Sequence, residues 1–317
     1  MKELAFIYDG QGAQTPGMGK DLYEAYPAFR ETMDAVDPDG SIRELCFNGT
    51  EEQLADTRNT QPCMVAVEVS ITALLADAGI EPAIAYGLSL GEYAALAAAG
   101  VFEPRQAVEL VAFRGQVMDE AARAFSDCGM AAVLGADPSS LEALCAQVEA
   151  EGLGFVAVTN YNCPGQQVIS GEGAAVEAAC ARAKEATGAK RCIPLAVSGP
   201  FHTRLMAPAG ERLRERFVSE TFAPARIPVL HNTTARALDP VLDAGLTVAD
   251  ILVDQVQQPI HFDRCMENML AAGITTTVEI GMGKSLSKFV KKASKEAETL
   301  AVFDCESFES VKEALNG

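Results

Sequence analysis

A serine lies between two glycines in the segment YGLSLGEY (86–93), where Gly87, Ser89 and Gly91 form the pattern Gly-x-Ser-x-Gly. A predicted strand, AIAYG (83–87), precedes the pattern, and a helical run of small residues begins at Gly91. In a sharp strand-to-helix turn the serine hydroxyl is exposed, and the helix N-terminus stabilises developing negative charge. The same pattern also occurs in ordinary loops, but this context predicts that Ser89 is a nucleophile.

A serine nucleophile requires a base, and the sequence contains only three histidines, His202, His231 and His261. His202 follows Gly199 and Pro200 in SGPFHTRLM, a tight loop suited to presenting a side chain. His231 ends an apolar segment, and His261 begins a predicted helix. A packed or capping role is the alternative for each histidine.

Two glycine-rich segments resemble nucleotide-binding loops but do not fit them. GQGAQTPG has Thr15 where Gly-x-Gly-x-x-Gly requires its third glycine, and a phosphate loop ending in GMGKS would require glycine at Val278. We therefore expect no nucleotide cofactor, and no metal.

The predicted elements that must position these residues alternate between strands and helices. The segment LAFIY (4–8) predicts a buried strand, and 23–36 predicts a helix. From 130 to 196 the order is β-α-β-β-α-β, which is typical of a ferredoxin-like fold. We therefore predict an α/β-hydrolase-like core with a mostly parallel sheet, formed by 1–127 and 197–317, and an inserted ferredoxin-like subdomain at 128–196.

Composition excludes some classes of partner. The formal net charge is −19, which disfavours binding to nucleic acid or to an anionic membrane surface. Nine scattered cysteines without a C-x-x-C pair indicate reduced thiols and a cytoplasmic protein. The sequence predicts neither a signal peptide nor a membrane span.

Short motifs recur along the chain in a fixed order. They are YDGQGAQ (8–14), GLSLGEY (87–93), Arg114 in AFRGQ, Asn160 to Gln166, Pro200-Phe201-His202, Gln255 in DQVQQP and EIGMG (279–283). In types and order they resemble the malonyl-CoA:acyl carrier protein transacylases, the acyl-loading enzymes of fatty acid synthesis. The resemblance covers essentially the whole chain.

The resemblance implies a role for each matched residue, with malonyl-CoA and acyl carrier protein as partners. Ser89 would attack the thioester and His202 would be its base, oriented by a carbonyl oxygen near Gln255. The main-chain amides of Gln11 and Leu90 would form the oxyanion hole. The substrate-binding residues would be Arg114, which binds the malonyl carboxylate as a two-pronged ion pair, Phe201, Asn160, Asn162 and Leu88.

The chain departs from the family motifs at three positions. Asp9 and Met282 stand where the family has proline, and Leu88 stands where it has histidine. A carboxylate at position 9 would disfavour an oxyanion two residues later unless it points away. The departures bear on rate and acyl selectivity more than on reaction type.

Three alternatives stay open from the sequence. A serine hydrolase or thioesterase would share the Gly-x-Ser-x-Gly turn and release free acid. A polyketide-pathway acyltransferase would catalyse the same transfer with altered acyl selectivity. A degenerate member could bind substrate without forming an acyl-enzyme.

An acidic protein that binds an acidic carrier requires a local basic surface. The helical segment KSLSKFVKKASK supplies Lys284, Lys288, Lys291 and Lys292, most of them three or four residues apart. We predict that they dock the carrier protein; a solvated helix face is the alternative.

Overall fold

The computed structural model describes residues 3–125, 127–195, 199–239 and 241–316. The chain divides into two compact units. The first contains Met1–Gly115, Thr221–Gly245 and Arg264–Gly317, and the second contains Gln116–Glu220 and Leu246–Asp263.

The first unit is built on a four-stranded parallel sheet. Its strands are β1 (Leu4–Tyr8), β2 (Ile84–Gly87), β7 (Thr276–Ile280) and β8 (Glu298–Val302), in the order β2-β1-β7-β8. Strand β1 is apolar and buried at every position, as expected for a parallel strand covered on both faces. Its carboxyl end and that of β2 lie side by side, because Tyr8 pairs with Gly87.

Among the described residues, eight helices lie wholly in the first unit. They are α1 (Lys20–Ala25), α2 (Pro27–Val36), α3 (Ser41–Asn48), α4 (Glu51–Ala55), α5 (Thr57–Asp77), α6 (Gly91–Ala98), α13 (Ser285–Ala293) and α14 (Cys305–Asn316). The sequence predicts one helix over 23–36, but the chain breaks at Tyr26, which is extended with φ −120° and ψ 118°. Pro27 explains the break, since proline disfavours helical geometry in the preceding residue.

The second unit contains an antiparallel sheet. Its strands are β3 (Cys128–Leu134), β4 (Val156–Cys163), β5 (Gln166–Glu172) and β6 (Arg191–Pro194), in the order β4-β5-β3-β6. Helices α8 (Pro138–Ala150) and α9 (Gly173–Thr187) pack against it through a core that includes Val133, Leu141 and Ile169. The order β3-α8-β4-β5-α9-β6 is ferredoxin-like, as the sequence predicts.

The remaining helices complete the second unit or contain residues of both units. Helices α10 (Ala207–Phe217) and α11 (Val248–Gln257) lie in the second unit, whereas α7 (Pro104–Ala122) and α12 (Phe262–Ala271) contain residues of both. The fold class is thus an α/β-hydrolase-like core with an inserted ferredoxin-like subdomain. The limits 128–196 of that subdomain stay a prediction, and its carboxyl boundary at 196/197 lies outside the described residues.

Within the described residues, the apolar segment IPVLHNTT (227–234) forms a single parallel bridge, between Val229 and Ala85. Its ladder is short because Pro228 has no N–H to donate, and the chain turns after His231. Among the helices within the described ranges, none is long and apolar enough to cross a membrane.

Candidate active site

The turn from β2 into α6 brings main-chain segments into contact. A Cβ atom on Gly87 would lie 2.2 Å from the carbonyl carbon of Gly91, and one on Gly91 would lie 2.4 Å from the carbonyl oxygen of Tyr8. Only glycine fits at either position. Ser89, between them, has φ 52°, a left-handed conformation that is uncommon for residues other than glycine. This is the geometry of a nucleophile elbow.

The hydroxyl and the amide of Ser89 have separate partners in the first unit. Arg114 Nη2 donates to Ser89 Oγ at 3.1 Å. The Ser89 N–H donates to Asn232 Oδ1 at 2.7 Å. The main-chain amide of Ser89 is therefore occupied by an internal hydrogen bond, whereas its hydroxyl lies beside the cationic side chain of Arg114.

Arg114 is 1% exposed, and its guanidinium also donates to Gln61 Oε1 at 2.9 Å. Close packing of α7 on α5 brings these groups together, since a Cβ on Gly115 would lie 2.8 Å from the Thr57 carbonyl oxygen. Burial lowers the pKa of Arg114, and the nearby Tyr93 and Glu92 oppose that shift. Arginine remains charged under such conditions, so the first unit holds a buried cation beside Ser89.

Of the two expected oxyanion donors, Leu90 lies within the elbow and Gln11 lies in the loop after β1. Leu90 is the N-cap residue of α6 and is fully buried. Amides at a helix N-terminus have no partner within the helix. The side chain of Gln11 donates to Thr57 Oγ1 at 2.9 Å. The half-buried Leu88 lies over Gly10, where an added Cβ would lie 3.3 Å from Leu88 Cγ.

The side chain of Asp9 lies against the segment that follows β7. Its carboxylate Oδ2 accepts the N–H of Met282 at 2.8 Å, and the side chain lies against Gly281. Burial raises the pKa of Asp9, and Glu279, which shares a hydrogen bond with it, raises it further. The partners of Asp9 thus lie at 279–282, and its raised pKa disfavours a negative charge at position 9.

In the second unit, the imidazole of His202 has one defined partner. His202 Nδ1 donates to the main-chain carbonyl of Gln255 at 2.7 Å, because a carbonyl can only accept. Nε2 is then the unprotonated nitrogen, which is the one that can act as a base. His202 also has φ 59° and is buried, so loop and side chain are both held in one orientation.

The other two histidines have different surroundings. His231 Nδ1 donates to Glu92 Oε1 at 2.8 Å within the first unit, and both side chains are buried. His261 stacks on Tyr161 in the second unit, with ring centroids 4.7 Å apart. These contacts fit the packed role that the sequence left open for both.

The remaining substrate-binding candidates all lie in the second unit. The ring of Phe201 is buried and packs on Gly199, where a Cβ would lie 2.8 Å from it. Asn160 Oδ1 accepts from Thr159 Oγ1 at 3.0 Å. Asn162 is 6% exposed, and its Oδ1 has no hydrogen-bond partner within the described part of the chain.

The four lysines of the predicted docking surface are exposed, at the start of α13 and along it. Lys284 lies over the ring of Phe303 at 5.1 Å from its centroid. The helix is anchored by Glu279, whose carboxylate accepts the N–H groups of Leu286 and Ser287.

Each unit thus brings some predicted residues together. Ser89, Arg114, Leu88 and Leu90 cluster in the first unit, and His202, Gln255 and Phe201 in the second. The pairing of Ser89 with His202 stays a prediction. Within the described residues, no group of three or more His, Cys, Asp or Glu side chains could hold a metal ion.

Sequence reasoning missed Asn232, Glu92 and Gln61. Each is a polar residue in an apolar setting, and each is 0% exposed. Asn232 follows the apolar IPVL segment, Glu92 lies in a helix of small residues, and Gln61 precedes Pro62 in an apolar helix. A polar residue within an apolar segment is either hydrogen-bonded in the core or functional. This pattern could have identified all three residues from the sequence.

A serine elbow on a parallel α/β sheet places the chain among serine-nucleophile proteins of the α/β-hydrolase-like class. A sequence model of the acyl transferase domain family matches residues 5–311. The malonyl CoA-acyl carrier protein transacylase of Bacillus subtilis (strain 168) is 40% identical over 317 residues, covering 99% of this chain and 98% of that protein. The chain belongs to the acyl transferase domain family, in the branch that includes these transacylases.

Solved structures agree with this assignment. The malonyl CoA-acyl carrier protein transacylase from Clostridium perfringens superposes with a TM-score of 0.93 at 36% identity, covering 99% of this chain and 97% of that one. A type II PKS acyl-carrier protein in complex with its malonyl-transacylase provides another match, with a TM-score of 0.91 at 34% identity. That match covers 99% of this chain and 100% of the other.

Proposed function

We propose that the protein transfers the malonyl group from malonyl-CoA to the phosphopantetheine thiol of acyl carrier protein, through an ester on Ser89. The observation that carries the proposal is the hydrogen bond of 3.1 Å from the buried Arg114 to Ser89 Oγ. A buried cation beside the nucleophile favours an acyl group that bears a carboxylate. Relatives named for this reaction support the same substrate.

In the first half-reaction, Ser89 Oγ attacks the thioester carbonyl while His202 Nε2 takes the hydroxyl proton. The C–S bond then breaks, and His202 returns the proton to the departing CoA thiolate. Donation from His202 Nδ1 to the Gln255 carbonyl supports this role, since it keeps Nε2 free of a proton and stabilises the imidazolium.

The negative charge of the tetrahedral intermediate falls on the former carbonyl oxygen. We assign the amides of Gln11 and Leu90 as its donors. The position of Leu90 at the N-terminus of α6 supports the assignment. The Ser89 amide is excluded from this role, because it donates to Asn232.

Arg114 binds the malonyl carboxylate in this proposal. Its planar guanidinium matches two carboxylate oxygens at once, and burial strengthens the ion pair. Phe201 would fill the space beside the acyl α-carbon and disfavour a methyl branch. Asn160 and Asn162 would contact the rest of the thioester, and the buried Oδ1 of Asn162 supports this placement.

In the second half-reaction the phosphopantetheine thiol gives its proton to His202 and attacks the seryl ester. The C–O bond breaks, and His202 returns the proton to Ser89 Oγ. The enzyme thereby returns to its starting protonation state, and the malonyl group has moved from the thiol of CoA to the thiol of phosphopantetheine.

Intact-mass measurement after mixing with malonyl-CoA tests the proposal. The wild type should gain one malonyl group, and Ser89→Ala should gain none. Transfer should then be faster to a pantetheine thiol than to water. Faster release of free malonate would indicate a serine hydrolase instead, and a wild type without any adduct would indicate a binding protein.

We propose that the carrier protein docks on Lys284, Lys288, Lys291 and Lys292, because these cations are exposed on one short helix of an acidic protein. Lys288→Glu with Lys292→Glu should raise the KM for carrier protein and leave the KM for malonyl-CoA unchanged. Lys184→Glu with Lys190→Glu is the matched control, since it changes charge equally at exposed positions in the second unit. Equal effects of the two pairs would reject docking on α13.

We place the reaction in cytoplasmic fatty acid biosynthesis. The nine scattered cysteines include no C-x-x-C pair, which supports a reducing compartment. Polyketide synthesis is the second candidate, since a similar structure contains a type II PKS carrier. Comparing kcat/KM for carriers of the two pathways distinguishes them.

A further inference from the structure

The side chain of Asn232 connects Gly87 and Ser89, two residues of the turn from β2 into α6. Asn232 Oδ1 accepts the Ser89 N–H at 2.7 Å, and Asn232 Nδ2 donates to the Gly87 carbonyl at 2.7 Å. One amide group therefore fixes the main chain on both sides of Leu88. The Asn232 side chain is fully buried, which strengthens its hydrogen bonds.

This connection acts on Ser89, whose backbone conformation is unfavourable for a residue other than glycine. Ser89 has φ 52°, and residues other than glycine hold such a conformation only when their surroundings impose it. In this conformation the Ser89 N–H is bonded to Asn232, which fixes the peptide group between Leu88 and Ser89. The hydrogen bond thus supplies the constraint that the left-handed serine requires.

Asn232 is itself held by the helix that follows the elbow. Its main-chain N–H donates to Glu92 Oε2 at 3.1 Å, and Glu92 Oε1 accepts from His231 Nδ1 at 2.8 Å. Glu92 lies in the first turn of α6. The end of β2, Ser89, α6 and the 231–232 loop are therefore joined by one connected set of hydrogen bonds.

We infer that Asn232 is a positioning residue, which sets the place of Ser89 Oγ through the Ser89 and Gly87 main chain, with Glu92 and His231 fixing Asn232. The inference rests on the proposed function in taking Ser89 as the nucleophile. Asn232 touches no reacting atom. It acts on the rate of acylation and leaves the binding of malonyl-CoA unaffected.

The first test compares Asn232→Ala with wild type. Displacement of a nucleophile by about 1 Å reduces rate about a hundredfold, so kcat should fall by that order while KM for malonyl-CoA changes less than about twofold. Asn268→Ala is the matched control, because Asn268 Nδ2 donates to the Ala235 carbonyl at 2.8 Å on the same loop, away from the elbow. Its kcat should equal that of wild type.

Asn232→Asp separates positioning from general stability. A carboxylate accepts from Ser89 but cannot donate to Gly87, whereas the protonated acid can do both. Burial beside Glu92 raises the pKa of such an acid. The rate of the variant relative to wild type at the same pH should therefore increase as pH is lowered from 8.5 to 6, by at most about tenfold per pH unit. If Asn232→Ala does not fold, this isosteric variant carries the test.

Labelling with a fluorophosphonate gives a readout that does not depend on malonyl-CoA. Ser89 Oγ bonds to phosphorus, fluoride leaves, and the hydroxyl proton passes to the base. Both Asn232 variants should be labelled more slowly than wild type. Slow labelling in proteins whose wild type forms no malonyl adduct would refute the proposed function and support the role of Asn232. Wild-type rates of acylation and labelling in both variants would overturn the role and leave the function standing.

Discussion

Arg114 Nη2 lies 3.1 Å from Ser89 Oγ, so the side chain proposed to bind the substrate carboxylate is hydrogen-bonded to the proposed nucleophile in the resting protein. Arg114 is held in place by Gln61 and is 1% exposed. The guanidinium therefore does not have to be ordered or desolvated when substrate arrives. Such preorganisation reduces the free-energy cost of binding.

Arg114→Ala should reduce kcat/KM for malonyl-CoA by at least about a hundredfold, since two hydrogen bonds to a charged group are lost. Activity with acetyl-CoA should be retained or increased, because the acetyl group has no carboxylate that would be left without a partner. Steady-state kinetics with both thioesters measures the two effects. Arg105→Ala, an exposed position on the same helix paired with Glu109, is the control. Parallel loss of both activities would mean that Arg114 has only a structural role.

The elbow could be predicted from the sequence because its determinants lie within five residues, Gly87 to Gly91. Asn232 could not be, since it is 143 residues from Ser89, and no local pattern links the two. The same holds for Gln61, 53 residues from Arg114. The residues that form a turn are adjacent in the sequence, so a short pattern predicts the turn. The partners of a buried polar group depend on how distant segments pack.

Asp9 illustrates a second limit of sequence reasoning. The sequence places a carboxylate near Gln11 but does not give its direction. The structure shows that two departures from the family motifs contact each other, because the Met282 N–H donates to Asp9 Oδ2. Proline, the family residue at 282, has no N–H to donate. The residues at positions 9 and 282 are therefore coupled through a direct hydrogen bond.

A double-mutant cycle on Asp9→Ala and Met282→Pro tests this coupling. Met282→Pro should destabilise the wild-type background more than the Asp9→Ala background, with a coupling free energy of about 0.5–3 kcal/mol. Denaturant unfolding of the four proteins measures it, and Met282→Leu, which keeps the N–H, is the control. Additive free energies of unfolding would show that the two departures are independent.

The stability of the protein should also depend on the titration of Asp9. Burial and Glu279 raise its pKa above the ordinary value of 3.8. The folded state then binds a proton more tightly than the unfolded state, so this group lowers stability as pH rises from about 4 towards the folded pKa. Glu68, fully buried near Asp9, has its pKa raised chiefly by burial and adds to the same trend.

Asp9→Asn should therefore raise the Tm relative to wild type, with a gain that is near zero at about pH 4 and grows towards pH 8. The amide can still accept from Met282 and donate to Glu279. Asp39→Asn is the opposite control, since Asp39 is exposed and its hydrogen bonds with Ser41 lower its pKa. Thermal unfolding across this pH range gives the comparison, and a gain independent of pH would contradict the titration of Asp9.

Leu88 stands beside the nucleophile where the family has histidine, and its side chain packs over Gly10, next to the proposed oxyanion donor Gln11. Leucine cannot donate a hydrogen bond, so we expect the malonyl group to depend more completely on Arg114 in this protein. Leu88→His should raise kcat/KM for malonyl-CoA more than for acetyl-CoA. A regained hydrogen bond to a charged group corresponds to about a ten- to hundredfold increase.

Leu88→Phe separates the hydrogen bond from the size of the side chain, because phenylalanine resembles the histidine ring in shape but has no donor. If the donor matters, only the histidine variant increases the preference for malonyl over acetyl. If both variants lower kcat/KM for both thioesters, the close approach of Leu88 to Gly10 is the controlling feature. The apolar side chain would then act by excluding water, which strengthens the ion pair of Arg114 with the substrate carboxylate.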